Sequence, residues 1–449
     1  MEKSRRRVNE RSREHTCSVS QLLRERLSRE TGNLMRRLGA EAERRESQLY
    51  VVGGLVRDLL MDEPMPEPLD LDLVVEGDAL GFARDVALSH RGTCVPFPRF
   101  QTATVFLGKR LRLDIAAARS EEYTRGGALP VVRRSSIETD LYRRDFTINS
   151  MAVHLNPPNF GALIDPFGGR ADIASGTVRV LHEGSFVDDP TRMLRAVRFE
   201  QRCGFGMDQV TERLLRRTAK PSLLRTVSAQ RLREELVLLT KEAHATDSLL
   251  RLDALGVTPA IYPGLALGET RESLLRQVEP CLRRCRDLLG AEELEEWVVY
   301  LQVLLVGLIA ERRRRAVQRL ALHRRVRLVA DQIARHGRRL LRILRADSAP
   351  SPSRVFFLLQ PLRLECVVFL MILAPEPRVT DRVVRYLAAW RHQTTGVNGR
   401  SLQALGLPSG PAHGRILRRV LAETLDGRTP TQAAQRALAQ RLVRKELGP

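Results

Sequence analysis

The chain has no run of ~18 apolar residues of the kind that crosses a bilayer as a helix. Its richest stretch, Trp297 to Ile309, is shorter and carries Tyr300 and Gln302, so no membrane association is expected. The opening MEKSRRRVNERSRE is basic but has no apolar region behind it, which argues against a secretory signal. Cysteine is scarce. The six cysteines (Cys17, Cys94, Cys203, Cys281, Cys285 and Cys366) are scattered, and no second Cys or His pair completes a zinc spacing with Cys281 and Cys285. That usage fits a reduced, cytoplasmic chain. Acid is also in deficit, with 53 Asp and Glu against 74 Lys and Arg, a formal net charge of +21. A chain that basic is expected to meet a polyanion, with nucleic acid ahead of membrane. What is present is apolar mass: 43% of 449 residues is hydrophobic. That excludes wholesale disorder and allows about three domains.

Residues 1–46 form an Arg-rich leader with 13 basic and 8 acidic side chains. Leu23, Leu27, Leu34 and Leu38 give it a helical stripe that Thr31 and Gly32 interrupt, so it reads as a solvated helix or as an RNA-touching arm. A head over 47–185 has the texture of a mixed sheet with helices on one face. Its strands are LYVVGG (49–54), LDLDLVVEG (69–77), TATVFLG (102–108) and RLRLDIAAA (110–118), and its helices are 55–62 and 79–90. Strand signals nearly vanish beyond Phe186. A helical neck (186–255), body (256–390) and tail (391–449) follow, which makes the whole an α+β chain. Within the body, Glu311 to Arg345 holds 13 arginines against two acids. Val326, Val329 and Ile333 keep an apolar stripe there, so this is a packed helix with a cationic face. Arg312, Arg313, Arg314, Arg315, Arg324 and Arg325 are candidates for gripping a phosphate backbone.

The sharpest chemical signal is GGLVRD (53–58) followed by DLD (70–72). Gly53 and Gly54 end a strand and open a helix, where backbone N–H groups can approach a triphosphate, and Arg57 adds charge. Period-two geometry sends Asp70 and Asp72 to one face of the next strand. Two carboxylates so placed repel unless a cation lies between them, and Mg²⁺ prefers such oxygen ligands. Two Mg²⁺ ions roughly 3.5–4 Å apart serve an in-line phosphoryl displacement. Asp114, on a further strand, is either a third carboxylate of that site or a salt-bridged core aspartate. In RRDFTINSM (143–151), Arg143 and Arg144 can clamp phosphates. Asp145 and Asn149, four apart, can bond a ribose edge, or Asp145 can cap a helix. In DDPTRMLRAVRF (188–199), Asp189 before Pro190 is a good helix cap. Yet Asp189, Arg192, Arg195 and Arg198 recur every three residues. Together an Asp and an Arg can accept from the amino group and donate to the acceptor edge of C or A while refusing U and G.

These segments, in this order, resemble the class II tRNA nucleotidyltransferase and bacterial poly(A) polymerase family. The likeness runs from Tyr50 through Glu235, with LIDPFGGRADI (163–173) and SAQRLREEL (228–236), and returns in LGLPSGPAHGRILRRVLAETLDGRTP (405–430). It implies a polymerase-β-like head holding Asp70 and Asp72, then helical neck, body and tail. It implies triphosphate contacts from Gly54 and Arg57, and sugar and phosphate contacts from the segment Arg143–Asn149. Asp189 and Arg192 would read the incoming base, with Arg195 and Arg198 in support. Asp188 stands where the family usually has Glu, and the leader is not accounted for. The implied activity is template-independent addition of C and/or A to the 3′ end of tRNA from CTP and ATP, with Mg²⁺. The tRNA would be held by its 3′ end and its acceptor/T-arm backbone, and no obligate protein partner is implied. CC-only members of the family have a shortened loop before the RRD segment. Here that segment (118–142) is long and carries Gly126 and Gly127, which argues against CC-only addition. Poly(A) addition is the close alternative. A small-molecule nucleotidyltransferase fits the charge and the α-body poorly, and a non-catalytic RNA-binding protein would not need Asp70 and Asp72.

Overall fold

The computed structural model describes residues 19–62, 69–108, 111–122, 131–289 and 294–448. Two compact units divide at Ile261 and Tyr262. The first opens with α1 (Ser20–Arg26) and α2 (Arg29–Arg44), then β1 (Gln48–Val52), α3 (Gly54–Leu60), β2 (Leu69–Glu76) and α4 (Ala79–Ser89). There follow β3 (Thr93–Phe97), β4 (Thr102–Leu107), β5 (Leu111–Ala117), the hairpin β6 (Arg119–Glu122) and β7 (Val131–Arg134), α5 (Ile137–Tyr142), β8 (Ala152–His154) and β9 (Leu163–Ile164). Gly126 and Gly127 lie outside the described residues.

The sheet runs β3-β4-β5-β2-β1-β8-β9, with only β2 and β5 parallel. Alternation sorts each strand. Leu49, Val51, Leu71, Leu73, Val75, Leu113 and Ile115 enter the main core with residues of α1 to α4. On the opposite face Tyr50, Val52, Val74 and Ala152 pack with Ile137 and Leu141 of α5. Helices therefore lie on both faces, a correction to the one-face expectation. Half-exposed Val95, Phe97 and Phe106 mark the uncovered end of that second face.

The described part of the leader, residues 19–46, is likewise not a solvated helix, and residues 1–18 lie outside the described residues. Leu23, Leu27, Met35, Leu38 and Ala42 are buried in the head's main core. The break in the stripe falls at Leu27–Ser28, not at Thr31–Gly32, because Ser28 Oγ accepts from Thr31 N and caps α2. The two helices then carry separate apolar phases. The buried Asn156 ties this layer down, accepting from Leu49 N at 2.7 Å and donating to Glu43 and to the Ser47 carbonyl. A Cβ at Gly39 would lie 1.9 Å from the Leu155 carbonyl oxygen. Gly39→Ala should accordingly cost about 1–3 kcal/mol in urea unfolding, as overpacking does. An unchanged midpoint would mean that α2 does not rest on this strand end.

Beyond β9, α6 (Gly169–Ala174) and a two-strand pair, β10 (Thr177–Val178) with β11 (Gly206–Met207), bracket α7 (Ser185–Asp188) and α8 (Arg192–Cys203). Helices α9 (Gln209–Thr218), α10 (Pro221–Leu224), α11 (Ala229–Lys241), α12 (Ala245–Ala254) and α13 (Val257–Ile261) complete the unit. The second unit is helical. It comprises α14 (Glu269–Leu289), α15 (Glu296–Leu305), α16 (Ala310–Arg319), α17 (Arg324–Arg345), α18 (Pro352–Leu359), α19 (Leu364–Leu373) and α20 (Pro377–Ala388), with α19 at the centre, its residues Glu365–Ile372 all buried. Helices α21 (Gly399–Ala404), α22 (Pro411–Leu425) and α23 (Gln432–Leu447) build a small core of their own around Leu402, Ile416, Val420 and Leu438. No single described helix is long and apolar enough to cross a membrane.

Candidate active site

Strand registers lay out the open sheet face in three rows. Asp70 lies beside Arg112, then Phe106 and Thr93; Asp72 lies beside Asp114, then Thr104 and Val95; Val74 lies beside Ala116, then Thr102 and Phe97. Asp70 and Asp72 thus share the face that alternation assigns them. Desolvation in the cleft pushes the Asp72 carboxyl above its usual value although its side chain reaches solvent. Arg144 opposes that rise, while Asp114 and Asp70 add to it. Asp114 is half-buried, not a core aspartate. It sits opposite Asp72 on the parallel neighbour, yet it accepts from Thr104 Oγ1 at 2.6 Å and pairs with Arg112 at 2.8 Å.

Gly53 joins β1 to α3 with φ +72°, in the left-handed region that favours glycine. A Cβ there would stand 3.3 Å from Arg144 Nη1 and 3.7 Å from Asp72 Oδ2. The positive φ is what disfavours a side chain here, the cation and carboxylate standing close to but not within the space it would take, and Gly54 then opens α3.

Behind this turn runs a buried polar chain. Arg57 Nη1 donates to Asn149 Oδ1 at 2.8 Å, Asn149 Nδ2 donates to Asp145 Oδ1 at 3.0 Å, and Arg195 Nε donates to Asp145 Oδ2 at 2.8 Å. Asp145 and Asn149 are neighbours through the 3₁₀ turn Thr147–Asn149, not through an α-helix, and Asp145 caps no α-helix. Burial alone would raise the Asp145 pKa, but Arg195 and Asn149 hold it down at about 2. Burial works against the Arg195 charge too, yet Asp145 and Glu235 keep its pKa above the ordinary value. Arg143 and Arg144 share the fully buried Asp140, at 2.7 and 3.0 Å, and Arg143 also reaches Glu121 at 2.8 Å. Arg144 Nε is buried with no hydrogen-bond partner among the described residues.

The helix α8 starts at Arg192, later than a cap at Asp189 implies, because Pro190 and Thr191 form a turn before it. Asp189 Oδ1 still accepts from Thr191 N at 3.1 Å, and its Oδ2 accepts from Arg231 at 2.7 Å. Arg192 is buried and donates to Ser185 Oγ and to the Arg143 carbonyl, each at 2.6 Å. The side chains of Asp189, Arg192 and Arg195 bond to neighbouring elements. Desolvation lowers the Arg198 pKa, and its Nε is buried without a hydrogen-bond partner among the described residues.

Asp72, the Gly53–Gly54 turn, Arg57, Asn149, Asp145, Arg143, Arg144 and the Asp189, Arg192, Arg195 and Arg198 series line one cavity of about 580 Å³, whereas Asp70, Asp114 and the buried Asp140 do not; the volume is well inside the roughly 300–1,000 Å³ range of ligand pockets. Its wall carries nine arginines and five acids, a surplus suited to a triphosphate. A second cavity of about 340 Å³ holds Asp114 and shares Asp72 and Arg144 with the first. Several lining residues were not singled out from the sequence: Phe100, Arg119, Glu121, Phe199, Arg202, Arg231 and Glu235. Arg231 and Glu235 are four apart on α11, a spacing that puts both on one face and was legible.

Among the described residues no three His, Cys, Asp or Glu side chains converge as a ready-made metal cage. The donor set nonetheless suits Mg²⁺, which binds through one or two carboxylates and takes its remaining ligands from water and substrate phosphate. Asp70 and Asp72 would supply that pair.

On the second unit, Arg313 pairs with Asp331, Arg314 and Arg315 with Glu311, and Arg325 with Glu295 and Glu365. Arg312, Arg324, Arg327 and Arg338 are exposed and make no ion pair with a described residue. Positions 324, 331, 338 and 345 recur every seven residues along one line of α17.

Residues 49–179 match the family described as Poly A polymerase head domain, and residues 204–267 the one described as Probable RNA and SrmB- binding site of polymerase A. The A-adding tRNA nucleotidyltransferase of Geobacter sulfurreducens is 37% identical over 95% of this chain and 48% of its own length. This chain therefore spans about half of that relative. An apo CCA-adding enzyme structure superposes with a TM-score of 0.82 at 34% identity, covering 94% of this chain and 97% of that one. The Thermotoga maritima CCA-adding enzyme, solved in complex with tRNA, gives 0.79 at 33% identity, covering 96% and 99%. With its head, its acidic strand and its helical units all matched in order, the chain belongs to the class II tRNA nucleotidyltransferase and poly(A) polymerase family.

Proposed function

We propose that this protein adds C and/or A to the 3′ end of tRNA without a template, using CTP and ATP. The observation that carries the proposal is Asp72, set between an arginine-lined cavity and a second cavity on the open sheet face. An incoming nucleotide would occupy the first. Its triphosphate would meet Gly54, Arg57, Arg143 and Arg144, with Asn149 at the ribose. Mg²⁺ held by Asp70 and Asp72 would lower the pKa of the attacking hydroxyl and offset charge on the leaving group. In the transfer, the tRNA 3′-oxygen bonds to the α-phosphorus as the bond to the bridging oxygen breaks. Pyrophosphate departs and the hydroxyl proton passes to solvent.

Asp189 would accept from the amino group of A or C through Oδ2, which takes one bond from Arg231 and keeps a second lone pair, whereas Oδ1 already accepts from both the N–H and the hydroxyl of Thr191. Arg192 keeps unused N–H groups to donate to the base. We assign the protein to the reducing cytoplasm, in keeping with its five described cysteines, all free thiols. The Geobacter sulfurreducens relative is named A-adding, which favours terminal A as the nucleotide added. The head's match to a poly(A) polymerase family supports a second reading, addition of A tails. Transcripts lacking the whole CCA end, its last two nucleotides or only the final A, each offered CTP and ATP separately, distinguish these. One A on the last transcript alone marks A-addition. Cytidines on the shorter ends mark full CCA synthesis, and tails of many A residues mark the alternative.

The tRNA backbone would lie along the cationic helices. Replacing Arg312, Arg324 and Arg338 with Gln should weaken tRNA binding and flatten its log–log salt slope by about 0.7–0.9 for each phosphate that is no longer neutralised. An unchanged slope in filter binding would mean that these arginines are only solvated surface.

A further inference from the structure

The second cavity invites an occupant of its own. It is lined by Asp72, Asp114, Arg112 and Arg144 on the polar side and by Phe97 on the other. Phe97 ends an edge strand, is 46% exposed and shares the open sheet face with the half-exposed Val95 and Phe106, an apolar patch at the end of that face. The 3₁₀ turn Pro98–Phe100 follows it directly, and Phe100 faces the first cavity. One short turn thus separates two adjoining chambers, each with a phenylalanine on its wall and Asp72 common to both.

The geometry points to the second cavity as the seat of the acceptor RNA's 3′-terminal nucleotide, its base stacked on Phe97 and its phosphate met by Arg112. This rests on the transfer reading above. Three observations choose that occupant. The cavity shares Asp72 and Arg144 with the nucleotide chamber, and Asp72 is where the two reacting groups must meet. Its 340 Å³ admits a single nucleotide and not a duplex. Its wall combines an aromatic side chain at one end with guanidinium groups farther along the sheet face, the pairing by which single-stranded ends are held without regard to base identity. Phe97 is a positioning residue in this account and touches no reacting atom.

Phe97→Ala, Phe97→Leu and Phe97→Tyr, assayed with a tRNA acceptor and with the same acceptor carrying an abasic 3′-terminal nucleotide, test it. On the intact acceptor, Phe97→Ala and Phe97→Leu should raise KM for tRNA roughly tenfold. Phe97→Tyr should stay near wild type, and KM for ATP should hold within about twofold in all three. On the abasic acceptor wild type should lose the same factor and the alanine variant no more. An equal penalty for Phe97→Ala on both acceptors, wild-type behaviour from Phe97→Leu, or a rise confined to KM for ATP overturns the subsite while leaving the transfer reading intact. A wild-type protein that extends no tRNA overturns the transfer reading, and the subsite with it.

Discussion

Asp72→Ala should lower nucleotide addition by about 10³-fold or more, the scale of losing a preorganised electrostatic group in a reaction centre, while tRNA affinity stays within a few-fold of wild type. Asp70→Ala should behave alike. The reason lies in the division of labour along the chain. The carboxylates face the open sheet, whereas the cations proposed to hold RNA are on the helical unit. Stability should move the other way. The Asp72 carboxyl has a raised pKa in the folded state, from desolvation and then from its acidic neighbours. A carboxylate with a raised pKa destabilises the fold above that pKa, so removing its charge should leave the melting temperature unchanged or higher. Asp114→Asn is expected to cost less activity than either, because Thr104 and Arg112 already engage both of its oxygens. A double Asp70/Asp72 alanine variant that still extends tRNA at a comparable rate would remove the basis of the assignment.

The second large effect concerns base choice. Arg192→Ala should reduce use of ATP and CTP by ~10²-fold, since hydrogen bonds to a charged donor are worth about 1.5–3 kcal/mol each. Discrimination against UTP and GTP should relax at the same time. Arg192 also bonds Ser185 and the Arg143 carbonyl, so its loss should lower the melting temperature as well, and rate alone would not isolate base reading. Asp189→Asn does. Asparagine keeps an oxygen for Thr191 N but gives up the charge that meets Arg231 and turns an amide NH₂ toward the base. Uridine incorporation relative to cytidine should rise. Single-nucleotide addition with each of the four NTPs reads this directly. Wild-type selectivity in Asp189→Asn would leave that residue only its structural bonds.

How far the sequence foretells these features depends on the range of the interaction concerned. Period-two alternation is local, so LDLDLVV assigns Asp70 and Asp72 to one face without knowledge of the partner strands. Asp114 stays ambiguous in sequence because its meeting with Asp72 depends on a parallel register set across α4 and two further strands. The strand TCVPF (93–97) gives no clear signal because Pro96 argues against pairing. It is an edge strand bonded only to β4, where proline is tolerated. The leader misleads for a similar reason. Its apolar stripe is read as one interrupted helix, whereas Ser28 starts a second helix and both bury their leucines. Asp189 illustrates a partial success, since its Oδ1 does engage the entry to α8 as a cap would, and only the fold shows that Arg231 takes Oδ2.

Nucleotidyl transfer leaves its record in the fate of a label carried by ATP. A tRNA lacking only its terminal A would be incubated with Mg²⁺ and either α-³²P- or γ-³²P-labelled ATP. α-Label should enter the RNA as one added residue, γ-label should leave as pyrophosphate, and Asp72→Ala should abolish both. Label reaching the RNA from the γ-position, or RNA that binds but gains no nucleotide from either ATP, would rule out transfer by this protein.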